Sequence, residues 1–369
     1  MSHLTSVADS GPRPIAPDPS PAIAAAITHN PPLPHHLNIV ALETFYTPLP
    51  PLIIPKPYTF SLTEYERTTP AQVAERIRDA DIVIMTTVMV RASDLSAANA
   101  PNLRFIAVMA VGFDTIDLAA CAERGIRVLN SPNCNSVAVA EHAVSMYMAL
   151  RRSLVPVMRA LNAGEWAARG SVMTRAYMAG TPPRSCRDET VGIIGYGGVG
   201  QEVARLMGAL GAKVIVSDRR GAPLRNGGSG GNGRVPFETV LRQSTVLVVC
   251  CPLLPETRDL IGVAELAQMQ PDAILVNVAR GKIVGEEALV AALREGRMGG
   301  AGIDVFDTEP ATQQCSAVVK AAADGDLNLI VTGHTAWVAE STRANYQRTV
   351  QENVERFILG TMDADRIIV

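Results

Sequence analysis

The sequence predicts an α/β protein that contains two parallel sheets. Two series of apolar runs, one in the first part of the chain and one in the second, alternate with amphipathic helical segments. Continuous apolar runs of this kind are typical of strands that are buried on both faces of a parallel sheet. The length of 369 residues is about twice that of a usual single domain, so we expect two domains.

The first series contains four apolar runs with helical stretches between them. The runs are LNIVALE, DIVIMTT, RFIAVMAVG and IRVLN. This alternation indicates a first parallel α/β unit. Ahead of it, 13 of the 25 prolines precede residue 58, and proline neither donates a backbone hydrogen bond nor continues a helix. We therefore expect residues 1–36 to form an extended or disordered arm.

The second series contains six apolar runs, which is the strand count of a Rossmann-type doubly wound sheet. The runs are TVGIIGYG, KVIVSD, TVLVVCC, AILVNVA, GAGIDV and NLIVTGH. The Gly-rich segment 226–233 has no side chains that could form a core, so we expect a flexible loop there. A helix predicted over residues 137–153 lies between the two series. It is apolar on more than one face, which is typical of a helix buried in a core or in a subunit interface.

Composition excludes several classes of partner. The 33 Lys and Arg are balanced by 36 Asp and Glu, so no basic field is available to hold nucleic acid. The longest apolar stretch is far shorter than the ~18 residues that a membrane span needs. The six cysteines show no C-x-x-C spacing, which argues against zinc and against a disulfide scaffold. Residues 1–36 also lack the pattern of a secretory leader. We expect a cytoplasmic protein with a small-molecule partner and no bound metal.

A glycine motif points to a dinucleotide. The segment GYGGVG at 195–200 fits G-x-G-x-x-G; an apolar run precedes it and a helical run follows it. The next apolar run ends in Asp218. Strand, glycine turn, helix, strand and terminal acid together make the βαβ dinucleotide fingerprint. Gly195 and Gly197 would let the backbone approach a pyrophosphate at the positive end of the helix, and Gly200 completes the motif.

The residue at the end of the second strand bears on the choice of cofactor. Asp218 would accept hydrogen bonds from the ribose hydroxyls, and its charge would repel the additional phosphate of NADP. Arg219 and Arg220 follow directly, and an arginine here could attract that phosphate. The acid favours NAD, and NADP stays open.

Four further segments resemble the signatures of a known enzyme family. They are VMAVGFDTIDL (108–118), NVARGKIVGEEALVAAL (277–293), GAGIDVFDTEP (300–310) and VTGHTAW (331–337). In this order they resemble the D-isomer-specific 2-hydroxyacid dehydrogenases over roughly residues 70–360. The resemblance implies reduction of a 2-oxo acid to a D-2-hydroxy acid. It also implies an NAD domain at 133–337, with a flavodoxin-like substrate domain at 37–132 and 338–369.

The resemblance assigns catalysis to Arg280, Glu309 and His334, and each residue type suits that chemistry. A guanidinium can bind the carboxylate and the carbonyl of a 2-oxo acid and stabilise the developing alkoxide. An imidazole can supply the proton that hydride transfer leaves to the protein. A carboxylate bonded to that imidazole would fix its tautomer. Any one of the three alone would be an ordinary surface or turn residue, but the ordered set behind a dinucleotide fingerprint predicts an active site.

Other residues receive roles from the family alone. Asp304 would contact the nicotinamide amide, and backbone groups at Val111 and Gly112 would hold the substrate carboxylate. The remaining residues implied in cofactor binding are Gly198, Val199, Cys251, Pro252, Thr257 and Ala279. Trp337 either lines the substrate pocket or is a packing residue. The family also suggests a homodimer formed through residues 137–166.

The sequence departs from the family pattern at two positions, and one alternative function is open. The family usually has proline where Gly333 stands and aspartate where Gly285 stands, so the second departure removes a helix cap. The alternative is an NAD-gated scaffold of the C-terminal binding protein type, which shares this fold and these catalytic residues. The chain lacks basic runs and a long acidic or Pro-rich tail, which argues against that alternative.

Overall fold

The computed structural model describes residues 32–222, 233–363 and 366–369, which form two compact units. The first unit runs to Ser131 and resumes at Tyr346–Val369, and the second is Pro132–Asn345. Most of the predicted Pro-rich arm at 1–36 and of the predicted loop at 226–233 lies outside the described residues.

The first unit contains a five-stranded parallel sheet in the order β2-β1-β3-β4-β5. The strands are β1 His36–Ala41, β2 Thr59–Glu64, β3 Ile82–Met85, β4 Phe105–Val108 and β5 Arg127–Leu129. Two short helices accompany them, α1 Val73–Arg76 and α2 Leu118–Arg124. The four apolar runs of the first series are confirmed as β1, β3, β4 and β5.

Strand β2 is absent from the sequence prediction for a physical reason. It lies at the edge of the sheet and pairs with β1 alone, and its residues are exposed or half-buried. A continuous apolar run marks a strand that is covered on both faces, and the segment TFSLTE lacks one. An edge strand of this kind can keep polar side chains in water.

The second unit contains a six-stranded sheet, all parallel, in the order β7-β6-β8-β9-β10-β11. Its strands are β6 Thr190–Ile194, β7 Lys213–Val216, β8 Val246–Val249, β9 Ile274–Asn277, β10 Gly300–Ile303 and β11 Leu329–Val331. All six predicted apolar runs are strands. The predicted fold class is therefore confirmed.

Helices cover both faces of this second sheet. The helices of the second unit are α3 Ser136–Arg151, α4 Leu154–Asn162, α5 Glu165–Arg169, α6 Gly198–Ala209, α7 Phe237–Gln243, α8 Val263–Leu266, α9 Glu286–Arg294 and α10 Ala317–Asp324. The final helix, α11 Glu340–Leu359, continues into the residues of the first unit. Alternate strand residues enter two separate apolar clusters: Leu247 and Leu275 belong to one, Val248 and Val276 to the other. Among the described residues, no helix is long and apolar enough to cross a membrane.

The predicted bridging helix is α3, and it lies in a core. Its inward residues, among them Ala143, Met146 and Leu150, join the cluster that contains Val248 and Val276. Because α3 packs directly on the sheet, it is a fixed part of the second unit.

A buried ion pair lies at the amino ends of strands β6, β8 and β9. Arg151, at the end of α3, is 2% exposed, and its Nη2 lies 3.1 Å from Glu189 Oε2, whose side chain is fully buried. The same guanidinium donates to the carbonyls of Thr245 (3.0 Å) and Asp272 (2.9 Å), which precede β8 and β9. Tyr147 donates to Glu189 Oε1 at 3.2 Å. These contacts tie α3 to the sheet.

We expect Arg151→Met to lower the free energy of unfolding by about 3–5 kcal/mol, because it leaves the buried Glu189 carboxylate without a compensating positive charge. Urea unfolding measures the change. Arg205→Met is the matched control, since its pair with Glu202 lies at the surface and its loss should cost less than about 1 kcal/mol. Similar losses of unfolding free energy in both variants would contradict the stabilising role of the buried Arg151–Glu189 pair.

Candidate active site

The three predicted catalytic residues follow neighbouring strands of the second sheet. Arg280 comes three residues after β9, Glu309 follows β10, and His334 comes three residues after β11. Adjacent parallel strands end at the same edge of a sheet, which is where ligands bind in open α/β folds. The strand order β11-β10-β9 thus brings the three loops together.

His334 and Glu309 are in direct contact. His334 Nδ1 lies 2.7 Å from Glu309 Oε2, and the two side chains are 41% and 35% exposed. The other carboxylate oxygen accepts the Phe306 backbone N–H at 3.0 Å. Since Glu309 holds Nδ1, Nε2 is the ring nitrogen left to exchange a proton with a ligand.

Glu309 is kept ionised by its surroundings. Burial raises its pKa, but the His334 hydrogen bond and charge, the Phe306 N–H and the charge of Arg280 together outweigh burial. The net result is a Glu309 pKa below the usual value. The carboxylate is therefore available to stabilise a protonated His334.

Arg280 projects from a turn that was not predicted from the sequence. Asn277, the last residue of β9, is 2% exposed; its Nδ2 donates to the Arg280 carbonyl (3.0 Å) and its Oδ1 accepts from the Ala279 N–H (3.1 Å). Arg280 is half-buried, and its Nη1 donates to the Ala279 carbonyl at 2.8 Å. The signal in the sequence was an amide that ends a buried apolar run.

The loop that carries Glu309 is tied to the start of α9. Glu286 accepts the Asp307 N–H at 3.2 Å and the Ser316 hydroxyl at 2.6 Å. Asp307 in turn accepts the Lys282 N–H at 2.7 Å. Gly285 is the N-cap residue of α9 and provides no side-chain cap, as expected from the sequence.

Asp304 lies beneath the loop that carries His334. It is 1% exposed, and its carboxylate accepts from Thr332 Oγ1 (2.5 Å), the Thr335 N–H (2.9 Å) and the Ala336 N–H (3.0 Å). Its main-chain carbonyl accepts the His334 N–H at 2.8 Å. This use of Asp304 was not predicted from the sequence. Its contact with the nicotinamide amide stays a prediction.

The glycine motif forms the turn between β6 and α6. Gly195 has a φ of +93° and its Cα faces the backbone of Cys251, so a Cβ there would clash. A Cβ on Gly200 would overlap the Gly195 carbonyl oxygen. The space around Gly197, the N-cap residue of α6, is open. This arrangement suits a pyrophosphate, because the N–H groups at the start of a helix attract anions.

The residues beside this turn are placed as follows. Gly198 packs against the side chains of Asn133 and Ser136, and Val199 is half-buried. Ala279 and Cys251 are buried, and burial raises the pKa of the Cys251 thiol to about 11. Thr257 Oγ1 donates to the Pro252 carbonyl at 2.7 Å and so closes the turn after β8.

Asp218 stands just beyond β7 and is half-buried. Its carboxylate accepts the Arg219 N–H at 2.9 Å, and the Arg219 side chain is exposed. Arg220 instead forms an ion pair with Glu265 at 2.8 Å and lies over the Phe237 ring. Of the two arginines, Arg219 is therefore the better placed to meet a phosphate on the ribose.

Three residues predicted to contact substrate are placed in different units. Trp337, in the second unit, is half-buried and packs against the core cluster of α3. Val111 and Gly112 follow β4 in the first unit and are half-buried; the Val111 carbonyl accepts Asn130 Nδ2 at 2.6 Å. Their contacts with substrate stay predictions.

Known dehydrogenases and reductases resemble this chain in sequence and in fold. Residues 144–336 match the profile of the NAD-binding domain of D-isomer specific 2-hydroxyacid dehydrogenases. A glycerate dehydrogenase of Methylorubrum extorquens is 38% identical over 299 residues, 80% of this chain and 89% of that protein. A glyoxylate reductase of Thermococcus gammatolerans is 37% identical over 246 residues, 66% of this chain and 72% of that protein. The structure of a D-lactate dehydrogenase of Aquifex aeolicus with NAD and lactic acid has a TM-score of 0.70 at 25% identity, over 84% of this chain and 92% of that chain.

We expect the stabilising effect of Glu309 to disappear in acid. A carboxyl whose pKa is lowered on folding stabilises the protein above its unfolded pKa, and the effect is lost as pH falls through the folded pKa. The difference in unfolding free energy between wild type and Glu309→Gln should thus be largest near about pH 7 and shrink towards about pH 3. Urea unfolding at several pH values measures it, and a difference that is constant over this range would contradict the prediction.

Proposed function

The chain belongs to the D-isomer-specific 2-hydroxyacid dehydrogenase family, and we propose that it reduces a 2-oxo acid to a D-2-hydroxy acid through Arg280, Glu309 and His334. The observation that carries the proposal is the 2.7 Å contact between His334 and Glu309, placed near Arg280 at the carboxyl edge of a dinucleotide-binding sheet. The reverse oxidation would use the same residues.

NAD fits the second unit. We assign its pyrophosphate to the turn at Gly195–Gly200, where Gly197 leaves open space above the start of α6. Asp218 would hold the ribose hydroxyls, and Cys251, Pro252, Thr257 and Ala279 would line the remainder of the cofactor site. When bound, the reduced cofactor supplies the hydride.

The side chains of the protein then have three tasks. Arg280 binds the substrate carboxylate and polarises the carbonyl, and its charge stabilises the alkoxide that forms on reduction. His334 transfers the proton on Nε2 to that oxygen, so the carbonyl gains one hydride and one proton and becomes an alcohol. Glu309 holds Nδ1 and stabilises the charged imidazole. In the oxidative direction His334 Nε2 takes the proton back.

The named relatives indicate where to search for the substrate. Relatives known as a glycerate dehydrogenase and a glyoxylate reductase point to short 2-oxo acids. We propose that the backbone at Val111 and Gly112 holds the substrate carboxylate and that Trp337 borders its side chain. The scaffold alternative gains no support, because these relatives are named as enzymes.

We also propose a cytoplasmic homodimer. Leu154, Met158 and Leu161 are exposed on one face of α4, and Trp166 on α5 is exposed as well. Exposed apolar groups at helical spacing typically mark a contact surface. Sedimentation equilibrium of the wild type and of Trp166→Asp measures the mass of the particle and so tests this assembly.

We expect the purified protein to oxidise NADH in the presence of at least one short 2-oxo acid. The panel is glyoxylate, hydroxypyruvate and pyruvate, with phenylpyruvate as a bulkier comparison. His334→Gln should lower kcat by about 10²-fold or more while NADH binding persists, because only the proton donor is lost. His36→Gln, at the exposed start of β1, is the control and should keep full activity. Absence of turnover on the whole panel, or equal rates in both variants, would refute the proposal.

We expect Asp218→Ala to weaken NADH binding by about tenfold or more and to improve NADPH binding, since charge-assisted hydrogen bonds contribute roughly 1.5–3 kcal/mol. Fluorescence titration gives both constants. The gain for NADPH should vanish when Arg219→Ala is added and survive when Arg220→Ala is added, because Glu265 already binds Arg220. Unchanged constants in Asp218→Ala would remove this residue from the cofactor site.

A further inference from the structure

The loop of residues 332–336, called the catalytic loop below, reaches the core at Ala336, whereas Gly333 and Thr335 are exposed. His334 has a φ of +55°, a backbone conformation that residues other than glycine rarely adopt. Gly333 precedes it in open space, since a Cβ there would meet no atom within 4 Å. Hydrogen bonds help to maintain the conformation that presents His334.

Those hydrogen bonds converge on Asp304. Its carboxylate and its carbonyl together accept four groups of the loop, from Thr332, His334, Thr335 and Ala336. One buried side chain thus fixes the loop on both sides of His334.

The hydroxyl of Thr332 extends this anchor to helix α3. Thr332 Oγ1 lies 2.5 Å from Asp304 Oδ1 and 3.0 Å from His142 Nε2. Thr332 Oγ1 donates its single proton to Asp304 Oδ1. The hydroxyl must then accept from His142, which places a proton on His142 Nε2. These three side chains form a hydrogen-bond series in which His142 donates to Thr332 and Thr332 donates to Asp304.

Helix α3 holds the first residue of this hydrogen-bond series, His142, in a fixed position. His142 stands between buried residues of α3, which is packed into the core of the second unit and anchored by Arg151. The His142 side chain is 26% exposed, and His142 Nε2 lies 3.9 Å from Asp304 Oδ1. The helix is thereby coupled to the loop of the proton donor.

We propose that His142 and Thr332 are positioning residues for His334, which they hold in place by orienting Asp304 beneath the catalytic loop. The proposal rests on the proposed function, in which His334 transfers the proton. It assigns a role to His142, which lies on helix α3 and is not among the residues predicted for the site.

The test uses two matched pairs in the full-length protein. Thr332→Val removes the hydroxyl and keeps the shape, whereas Thr332→Ser keeps the hydroxyl. His142→Leu removes the donor, whereas His142→Gln keeps an N–H donor at similar reach. Each variant is measured for kcat, KM, the solvent deuterium isotope effect on kcat and the melting temperature.

We expect Thr332→Val and His142→Leu to lower kcat by roughly tenfold with little change in the KM for NADH, because a small misplacement of a reacting group is costly. The isotope effect should rise, since proton transfer becomes slower, and Thr332→Ser and His142→Gln should restore most of the rate. The variant with both Thr332→Val and His142→Leu should lose no more than Thr332→Val alone. A lower melting temperature with unchanged kcat and isotope effect, or fully additive losses, would overturn the proposal.

A second measurement does not depend on turnover. Amide hydrogen exchange at Thr335 and Ala336, followed by NMR, should accelerate about tenfold or more in Thr332→Val and remain near wild type in Thr332→Ser. Exchange that is equal in both variants would overturn the positioning role. A wild-type protein that reduces no 2-oxo acid would instead refute the proposed function, and amide exchange would still decide whether the series holds the loop.

Discussion

Burial of the central strands on both faces dictates where this protein can place charge. Every residue of β8, β9 and β10 is buried, so an ionised side chain within them would lie in apolar surroundings at a large cost in free energy. The charged and titratable groups are confined to the strand ends. Arg280, Glu309 and His334 all stand beyond the last residue of a strand, and the parallel arrangement puts them at one edge.

The two edges of the second sheet use polar groups in opposite ways. At the amino edge, Arg151 and Glu189 are almost fully buried and bond to each other and to neighbouring carbonyls. At the carboxyl edge, His334 and Glu309 form an equally direct contact but keep more than a third of each side chain exposed. The first pair makes the framework rigid, whereas the second keeps a ring nitrogen available for a ligand.

The sequence predicts what depends on local pattern and leaves out what depends on contacts distant along the chain. Six apolar runs suffice for the second sheet, whereas the pairing of His334 with Glu309 is predicted through the resemblance to a known family. Strand β2 was not predicted, because this edge strand is not continuously apolar. The roles of Asn277 and His142 were not predicted, because their contacts form only in the folded protein. The buried amide of Asn277 shapes the Arg280 turn, and His142 on a helix contacts a loop 190 residues away in sequence.

The close packing of Gly195 and Gly200 also limits how this chain can diverge. Each position faces backbone atoms, which cannot move aside as a flexible side chain would, so every amino-acid replacement at either site inserts a carbon where none fits. Tyr196, which lies between them in sequence, is exposed and carries no such restriction. Natural variation in this turn should therefore accumulate at Tyr196 while the flanking glycines tolerate only silent changes in their codons, so the motif outlasts divergence of the sequence around it.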